Sequence, residues 1–270
     1  MCGTCGCGSE DNGVSIKNPR EVKVHEHHHH NHDHHHDEAH SHGHEHTHSH
    51  HHKTVLEVEQ DILQHNDVMA ARNRGYFEAK NIFTLNLVSS PGSGKTALLE
   101  RTLQDLKQEV SFFVIEGDQQ TLNDANRIDA LNIPVIQINT GKGCHLESEM
   151  VYEAVKKLDI QDNSILMIEN VGNLVCPSMF DLGESKRVVI ISTTEGEDKP
   201  IKYPDMFFSS DICIINKIDL LPYLNFDIEK LKEYAKQVNP KLEFFEVSAT
   251  TGDGMDKWYA WLKNSSKTAK

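Results

Sequence analysis

Long apolar runs are missing from this 270-residue chain. No stretch approaches the roughly 18–20 apolar residues a membrane-crossing helix needs, so no span and no membrane insertion are expected. Basic charge is scarce as well. Twenty-seven Lys and Arg stand against 41 Asp and Glu, a formal net charge of −14, which argues against nucleic acid as a partner. The first residues carry neither the basic segment nor the apolar stretch of a secretory leader, so a cytoplasmic location is expected. Cysteines number only six, and in that compartment they are expected as thiols or metal ligands rather than a disulfide framework.

What is present is unevenly spread. Residues 25–52 hold 17 of the 19 histidines, mixed with Asp, Glu and Ser. Such a stretch buries too little surface to offset its ordering entropy, so a disordered tract is expected over 25–53. The imidazoles from His25 to His52 would take several Ni²⁺, Zn²⁺ or Cu²⁺ ions without fixed geometry, as storage or buffering. A solvated spacer is the plainer alternative. Ahead of the tract, residues 1–24 form a short arm with Cys2, Cys5 and Cys7 within six residues. Three sulfurs leave a fourth position for the α-amine or a tract histidine. Tetrahedral sulfur-rich binding suits zinc, a planar site with an amine suits nickel, and a redox-active dithiol is the alternative.

Residues 54–270 suit one globular domain. A helical lead-in over 54–80 carries Leu56, Ile62, Leu63 and Met69 near helical spacing, with Gly75 expected to interrupt it. Apolar strands are expected at Ile82–Val88, Val110–Ile115, Val135–Ile138, Ser164–Ile168, Val188–Ser192, Ile212–Asn216 and Glu243–Val247. Helices are expected at Thr96–Gln108, Thr121–Leu131, Leu146–Leu158, Ile228–Val238 and Met255–Leu262. This alternation implies an α/β fold, a mainly parallel sheet flanked by helices, with ligands at the carboxyl ends of the strands.

Every chemical motif falls at such an end. Ser89-Ser-Pro91-Gly92-Ser93-Gly94-Lys95-Thr96, followed by Ala97, sits between a strand and a helix. Backbone N–H groups there converge on phosphate, Lys95 reaches the β and γ phosphates, and the Thr96 hydroxyl suits Mg²⁺. The usual pattern begins with Gly where Ser89 stands; Ser fits unless φ is positive there. Asn216-Lys217-Ile218-Asp219 follows another strand. The Asp219 carboxylate can accept from N1–H and the N2 amino group of guanine, whereas adenine would leave it unpaired. Lys217 packs along the base, and Ser248-Ala249 forms the companion loop that reads guanine O6. Asp118 and Glu169 end strands beside the phosphate loop, as acids for Mg²⁺ or for water near the γ-phosphate. With Lys95 and Thr96 they are the candidate catalytic residues. No glutamine follows Gly172, so slow intrinsic hydrolysis is expected.

A second set of metal-ligand residues lies within the domain. Cys144-His145 is expected to open a helix, where a thiol has a lowered pKa. Adjacent residues chelate poorly alone, but a two-fold axis bringing a second copy close would give two Cys and two His. Cys176 is a plausible third ligand, and Cys213, mid-strand among Ile residues, is expected to be a buried structural thiol.

The cysteine arm, the histidine tract, Ser-Pro-Gly-Ser-Gly-Lys-Thr at 90–96, Glu116-Gly-Asp118-Gln-Gln-Thr121, Gly143-Cys144-His145-Leu146, Glu169-Asn-Val-Gly-Asn173 with Cys176-Pro177, and Asn216-Lys-Ile-Asp219 together resemble the hydrogenase nickel-incorporation GTPases of HypB type. The resemblance covers nearly the whole chain. It implies a phosphate-loop GTPase that forms a GTP-dependent homodimer and delivers nickel to the large subunit of a [NiFe] hydrogenase. It also implies a small zinc-containing nickel-binding accessory protein as partner. Tight nickel binding at Cys2, Cys5 and Cys7 and a weaker nickel or zinc site at Cys144, His145 and Cys176 follow from the same resemblance. Urease accessory GTPases resemble this chain in nucleotide site and histidine-rich start, but carry Cys-Pro-His in place of Cys144-His145 and lack the cysteine arm. The alternatives are a urease-type nickel insertion GTPase and a nickel store whose GTPase only recruits partners.

Overall fold

The computed structural model describes residues 14–20, 55–119 and 123–268. Cys2, Cys5, Cys7 and the histidine tract His25 to His52 lie outside them. Among the described residues one sheet of eight strands runs through the molecule. In chain order the strands are β1 (Ser15–Lys17), β2 (Phe83–Ser89), β3 (Phe112–Asp118), β4 (Val135–Asn139), β5 (Ile165–Glu169), β6 (Lys186–Ser192), β7 (Ile212–Asn216) and β8 (Glu243–Glu246), and their order across the sheet is β1-β4-β3-β5-β2-β6-β7-β8. All pair in parallel except β1, which lies antiparallel on β4.

The helices are α1 (Val55–Ala79), α2 (Lys95–Leu106), α3 (Asn123–Asp129), α4 (Ser148–Leu158), the short α5 (Lys199–Lys202) and α6 (Pro204–Phe208), then α7 (Ile228–Val238) and α8 (Met255–Thr268). Continuous apolar strands are what a sheet covered on both faces requires. Alternate residues of β3 show it: Phe112 and Val114 enter one core with Leu98, Leu103, Ile128 and Trp258, while Phe113 and Ile115 enter the opposite core with Phe77, Val151 and Leu158. A third cluster packs Val189, Ile191 and Ile215 under Met206, Phe207 and Leu231.

Three expectations change. Gly75 does not interrupt α1, which runs unbroken past it. A Cβ at Gly75 would meet nothing within 4 Å, so this glycine lies on an open flank and costs the helix only about 1 kcal/mol against alanine. Ile62, Leu63 and Met69 are only half-buried; the stripe that enters the interior is Asn66, Ala70, Asn73 and Phe77. Finally, Ser15–Lys17 is a strand, an element that three residues without periodicity did not announce. Among the described residues no helix is long and apolar enough to cross a membrane.

Candidate functional site

The carboxyl ends of β2, β3, β5 and β7 converge on the phosphate loop. Ser89 closes β2 and is 1% exposed; it is not among the positive-φ residues, so serine fits where glycine is usual. The left-handed turns fall instead at Gly92 (φ 77°) and Gly94 (φ 88°). A Cβ on Gly94 would lie 2.5 Å from Asn216 Nδ2, so only glycine admits the guanine loop this close. Asn216 Nδ2 donates to Ser93 O at 3.0 Å, and its Oδ1 accepts from Ala249 N at 3.2 Å, tying three loops together. Lys217 reaches across to donate to Gly92 O at 2.7 Å, and Asp219 Oδ1 accepts from the Ser248 hydroxyl at 2.6 Å. Pro91 touches the other side, since a Cβ on Gly172 would sit 3.4 Å from its Cα.

Lys95 and Thr96 share one acceptor. The Lys95 ammonium donates to Glu169 Oε1 at 2.7 Å and the Thr96 hydroxyl to the same oxygen at 2.6 Å. Asp124 Oδ2 lies 3.4 Å from Thr96 Oγ1. Glu169 stands opposite Glu116 in the β3–β5 register. Both are buried, and each keeps a second oxygen with no hydrogen-bond partner. Burial, then the Glu169 and Asp118 charges, push the Glu116 carboxyl up to about 9, so it is held protonated at neutral pH. Glu116 was not singled out as a site residue; its place in an otherwise apolar strand, two residues before Asp118, was the available signal.

The second constellation lies beside this one. One ligand atom each of Cys144, His145 and Cys176 fall within 4.8 Å of one another, so residues far apart in sequence do converge. Cys144 Sγ is 3.7 Å from His145 Nδ1. The imidazole is 6% exposed and stacks on Phe180 with centroids 3.9 Å apart. Cys144 does not open a helix: α4 begins at Ser148, with Glu147 as its cap, so the helix-terminus rationale for a reactive thiol does not hold. The loop carrying it is fixed otherwise. Asn170 Oδ1 accepts from Leu146 N at 3.1 Å, and on α1 Asn66 Oδ1 accepts from Ser148 N at 2.9 Å. Cys213 is fully buried, and burial pushes its thiol up, as expected of a structural cysteine.

Two short paths join the constellations. Glu169 and Cys176 bound one segment, with Gly172 against the phosphate loop. On the other side Thr140 N donates to Asp118 O at 2.9 Å, while the Thr140 hydroxyl donates to Gly143 O at 2.8 Å, one residue before Cys144.

A phosphate loop clasped by an Asn-Lys-x-Asp loop on a mainly parallel sheet defines a P-loop nucleotide-binding protein of the GTPase class. The model of the CobW/HypB/UreG nucleotide-binding domain matches residues 83–246. The hydrogenase maturation factor HypB of Escherichia coli (strain K12) is 57% identical over 211 residues, 78% of this chain and 73% of that protein. The probable hydrogenase maturation factor HypB of Methanocaldococcus jannaschii is 39% identical over 216 residues, 80% of this chain and 98% of that one. The crystal structure of HypB from Archaeoglobus fulgidus superposes with a TM-score of 0.70 at 38% identity, covering 75% of this chain and 99% of that one. That of HypB from Helicobacter pylori, in complex with nickel, gives 0.70 at 38%, covering 75% and 95%. The chain belongs to the HypB family of hydrogenase maturation factors.

Proposed function

We propose that this chain is a GTP-hydrolysing nickel metallochaperone that delivers nickel to the large subunit of a [NiFe] hydrogenase. The carrying observation is that Glu169, which holds Lys95 and Thr96, and Cys176 of the cysteine–histidine cluster lie seven residues apart on one segment. Family membership and the nickel complex of the Helicobacter pylori relative support nickel as the cargo.

Phosphate oxygens compete with Glu169 for Lys95 and Thr96. Once both donors turn to the phosphates, Glu169 loses its partners, and the segment from 169 to 176 must readjust with Cys176 on it. The oxygen-only set of Thr96 and Asp118, with the orphaned carboxylate oxygen of Glu169 close by, fits Mg²⁺. When bound, Mg²⁺ neutralises charge on the β and γ phosphates. Hydrolysis adds water at the γ-phosphorus and breaks its bond to the bridging oxygen, releasing GDP and phosphate. Lys95 stabilises the charge that moves onto that oxygen, and Asp118 and Glu169 orient the water. Asn173 stands where a glutamine would assist, which supports slow turnover without partners.

The thiolates of Cys144 and Cys176 with the His145 imidazole give three ligands suited to nickel or zinc. A second copy facing this one supplies more, so GTP-bound closure of a homodimer changes the coordination. Metal that prefers one state must in turn alter nucleotide affinity or dimerisation. Cys2, Cys5, Cys7 and the histidine tract hold further nickel, and the small zinc-containing accessory protein passes nickel on. Thiolate ligation would suit a reducing compartment, which supports a cytoplasmic location.

The test is nickel transfer from the loaded chain to a chelator with Mg²⁺ present. Rates are expected to differ between GDP and a non-hydrolysable GTP analogue, and Cys176→Ser is expected to remove the difference. Equal rates in both nucleotides would leave nickel storage, with a GTPase that only recruits partners, as the better account.

A further inference from the structure

His145 offers two nitrogens. Nδ1 faces the sulfurs, 3.7 Å from Cys144 Sγ. Nε2, across the ring, is buried and has no hydrogen-bond partner. Glu147 Oε1 lies 3.5 Å from it, longer than a good hydrogen bond. Glu147 stands at the N-cap of α4, where a side chain ordinarily bonds the first helical N–H groups, yet its carboxylate makes no such bond. Asn66 on α1 does part of that work instead, accepting from Ser148 N at 2.9 Å. The imidazole itself is held in place. It stacks on Phe180, whose carbonyl accepts from Arg187 Nη2 at 2.8 Å. The Glu147 side chain is 32% exposed, so it is the partner with room to move.

We infer that Glu147 is a positioning residue of the cysteine–histidine cluster: its carboxylate accepts a hydrogen bond from Nε2–H of His145 and so commits the imidazole to metal through Nδ1. A neutral imidazole carries one proton. On Nδ1 that proton blocks the lone pair that an ion beside the sulfurs needs. Ligation through Nδ1 therefore puts the proton on Nε2, and an N–H buried with no acceptor is costly. A carboxylate at the far nitrogen removes that cost, fixes the tautomer and the ring orientation, and raises the basicity of the ligating nitrogen. Closing the gap between Nε2 and Glu147 is thus coupled to the arrival of the ion.

This role rests on the metal-holding function proposed above for the cluster. The test uses Co²⁺ alone on the full chain carrying Cys2→Ser, Cys5→Ser and Cys7→Ser. Thiolate-to-cobalt charge-transfer absorption then reports on Cys144 and Cys176, since Cys213 is fully buried among core residues and the histidine tract has no sulfur. Co²⁺ binds more weakly than Ni²⁺, so competition with a chelator of known affinity gives Kd. Glu147→Leu is expected to weaken binding roughly 10- to 100-fold. Glu147→Gln, whose amide oxygen still accepts from Nε2–H, is expected to bind more tightly than the leucine variant. In a His145→Ala background Glu147→Leu is expected to change Kd no further, because its effect runs through the imidazole. An equal loss with and without His145, a glutamine variant as weak as the leucine one, or no loss at all overturns the positioning role and leaves the cluster's metal function standing. Absence of thiolate-to-cobalt absorption before Glu147 is changed removes both.

Discussion

Glu169→Gln is expected to tighten nucleotide binding rather than weaken it. Glu169 Oε1 accepts from both Lys95 and Thr96, and the pair is secluded, with Glu169 1% and the Lys95 side chain 10% exposed. Phosphate must take both donors away. A hydrogen bond to a charged group contributes about 1.5–3 kcal/mol and a neutral one about 1 kcal/mol. Glutamine keeps the shape and removes the acceptor's charge, so the Thr96 bond weakens by about 0.5–2 kcal/mol, while the Lys95 bond loses its ion pair but keeps the ammonium. Both bonds end on one oxygen and are therefore not additive, and a combined change of about 1–2 kcal/mol is expected. That corresponds to roughly 5- to 30-fold in Kd for GDP. Fluorescent GDP titrated in EDTA measures it without Mg²⁺. Simple repulsion between Glu169 and phosphate would act in the same direction, and Lys95→Ala separates the two causes. Competition for Lys95 predicts that most of the gain disappears in the Lys95→Ala background. Unchanged or weaker GDP binding in Glu169→Gln, or an equal gain without Lys95, refutes the competition.

Asp219→Asn is expected to weaken GTP binding at least about 100-fold, with xanthosine triphosphate partly restoring it, because the amide can donate to the xanthine C2 oxygen; wild-type affinity for GTP would remove Asp219 from the guanine contact. Glu116→Gln is expected to alter the pH dependence of unfolding. The folded chain binds the Glu116 proton more tightly than the unfolded chain does, with the carboxyl raised from 4.5 to about 9. The stability this contributes is therefore complete below about pH 4.5 and drains away as pH rises to about 9. Glutamine does not titrate, so the variant lacks a slope of up to about 1.4 kcal/mol per pH unit across that window. Urea unfolding at pH 5.5, 7 and 8.5 measures it, and parallel slopes in the two proteins would contradict the protonated Glu116.

The central strands were legible because burial on both faces writes an uninterrupted apolar run, as in Val188–Ser192 and Ile212–Asn216. The phosphate and guanine loops were legible because their backbone geometry demands particular residues, Gly94 above all. Cys144, His145 and Cys176 could be named as companions, but only the parallel run of β4 and β5 on either side of β3, which carries both loops to one end of the sheet, brings them within 4.8 Å. The start of α4 was placed two residues early, because Leu146 is apolar and buried in a loop that Asn170 holds. The engagement of Lys95 by Glu169 is a through-space pairing across two strands, which no local pattern records. The buried stripe of α1 escaped notice because two of its four residues are asparagines, placed there to bind backbone and not to fill a core.

The antiparallel pairing of β1 has a consequence for how far the cysteine arm can search. Ser15 faces Asn139, the last residue of β4, and the chain from Asn139 leads through Thr140 to Cys144. Cys7 is eight residues upstream of Ser15. Eight extended residues span at most about 29 Å, so Cys7 is leashed to the end of the sheet where Cys144 and His145 lie. A tether of that length gives two groups an effective concentration on the order of millimolar for one another. Encounters between Cys7 and that sheet edge are therefore intramolecular and independent of how dilute the protein is.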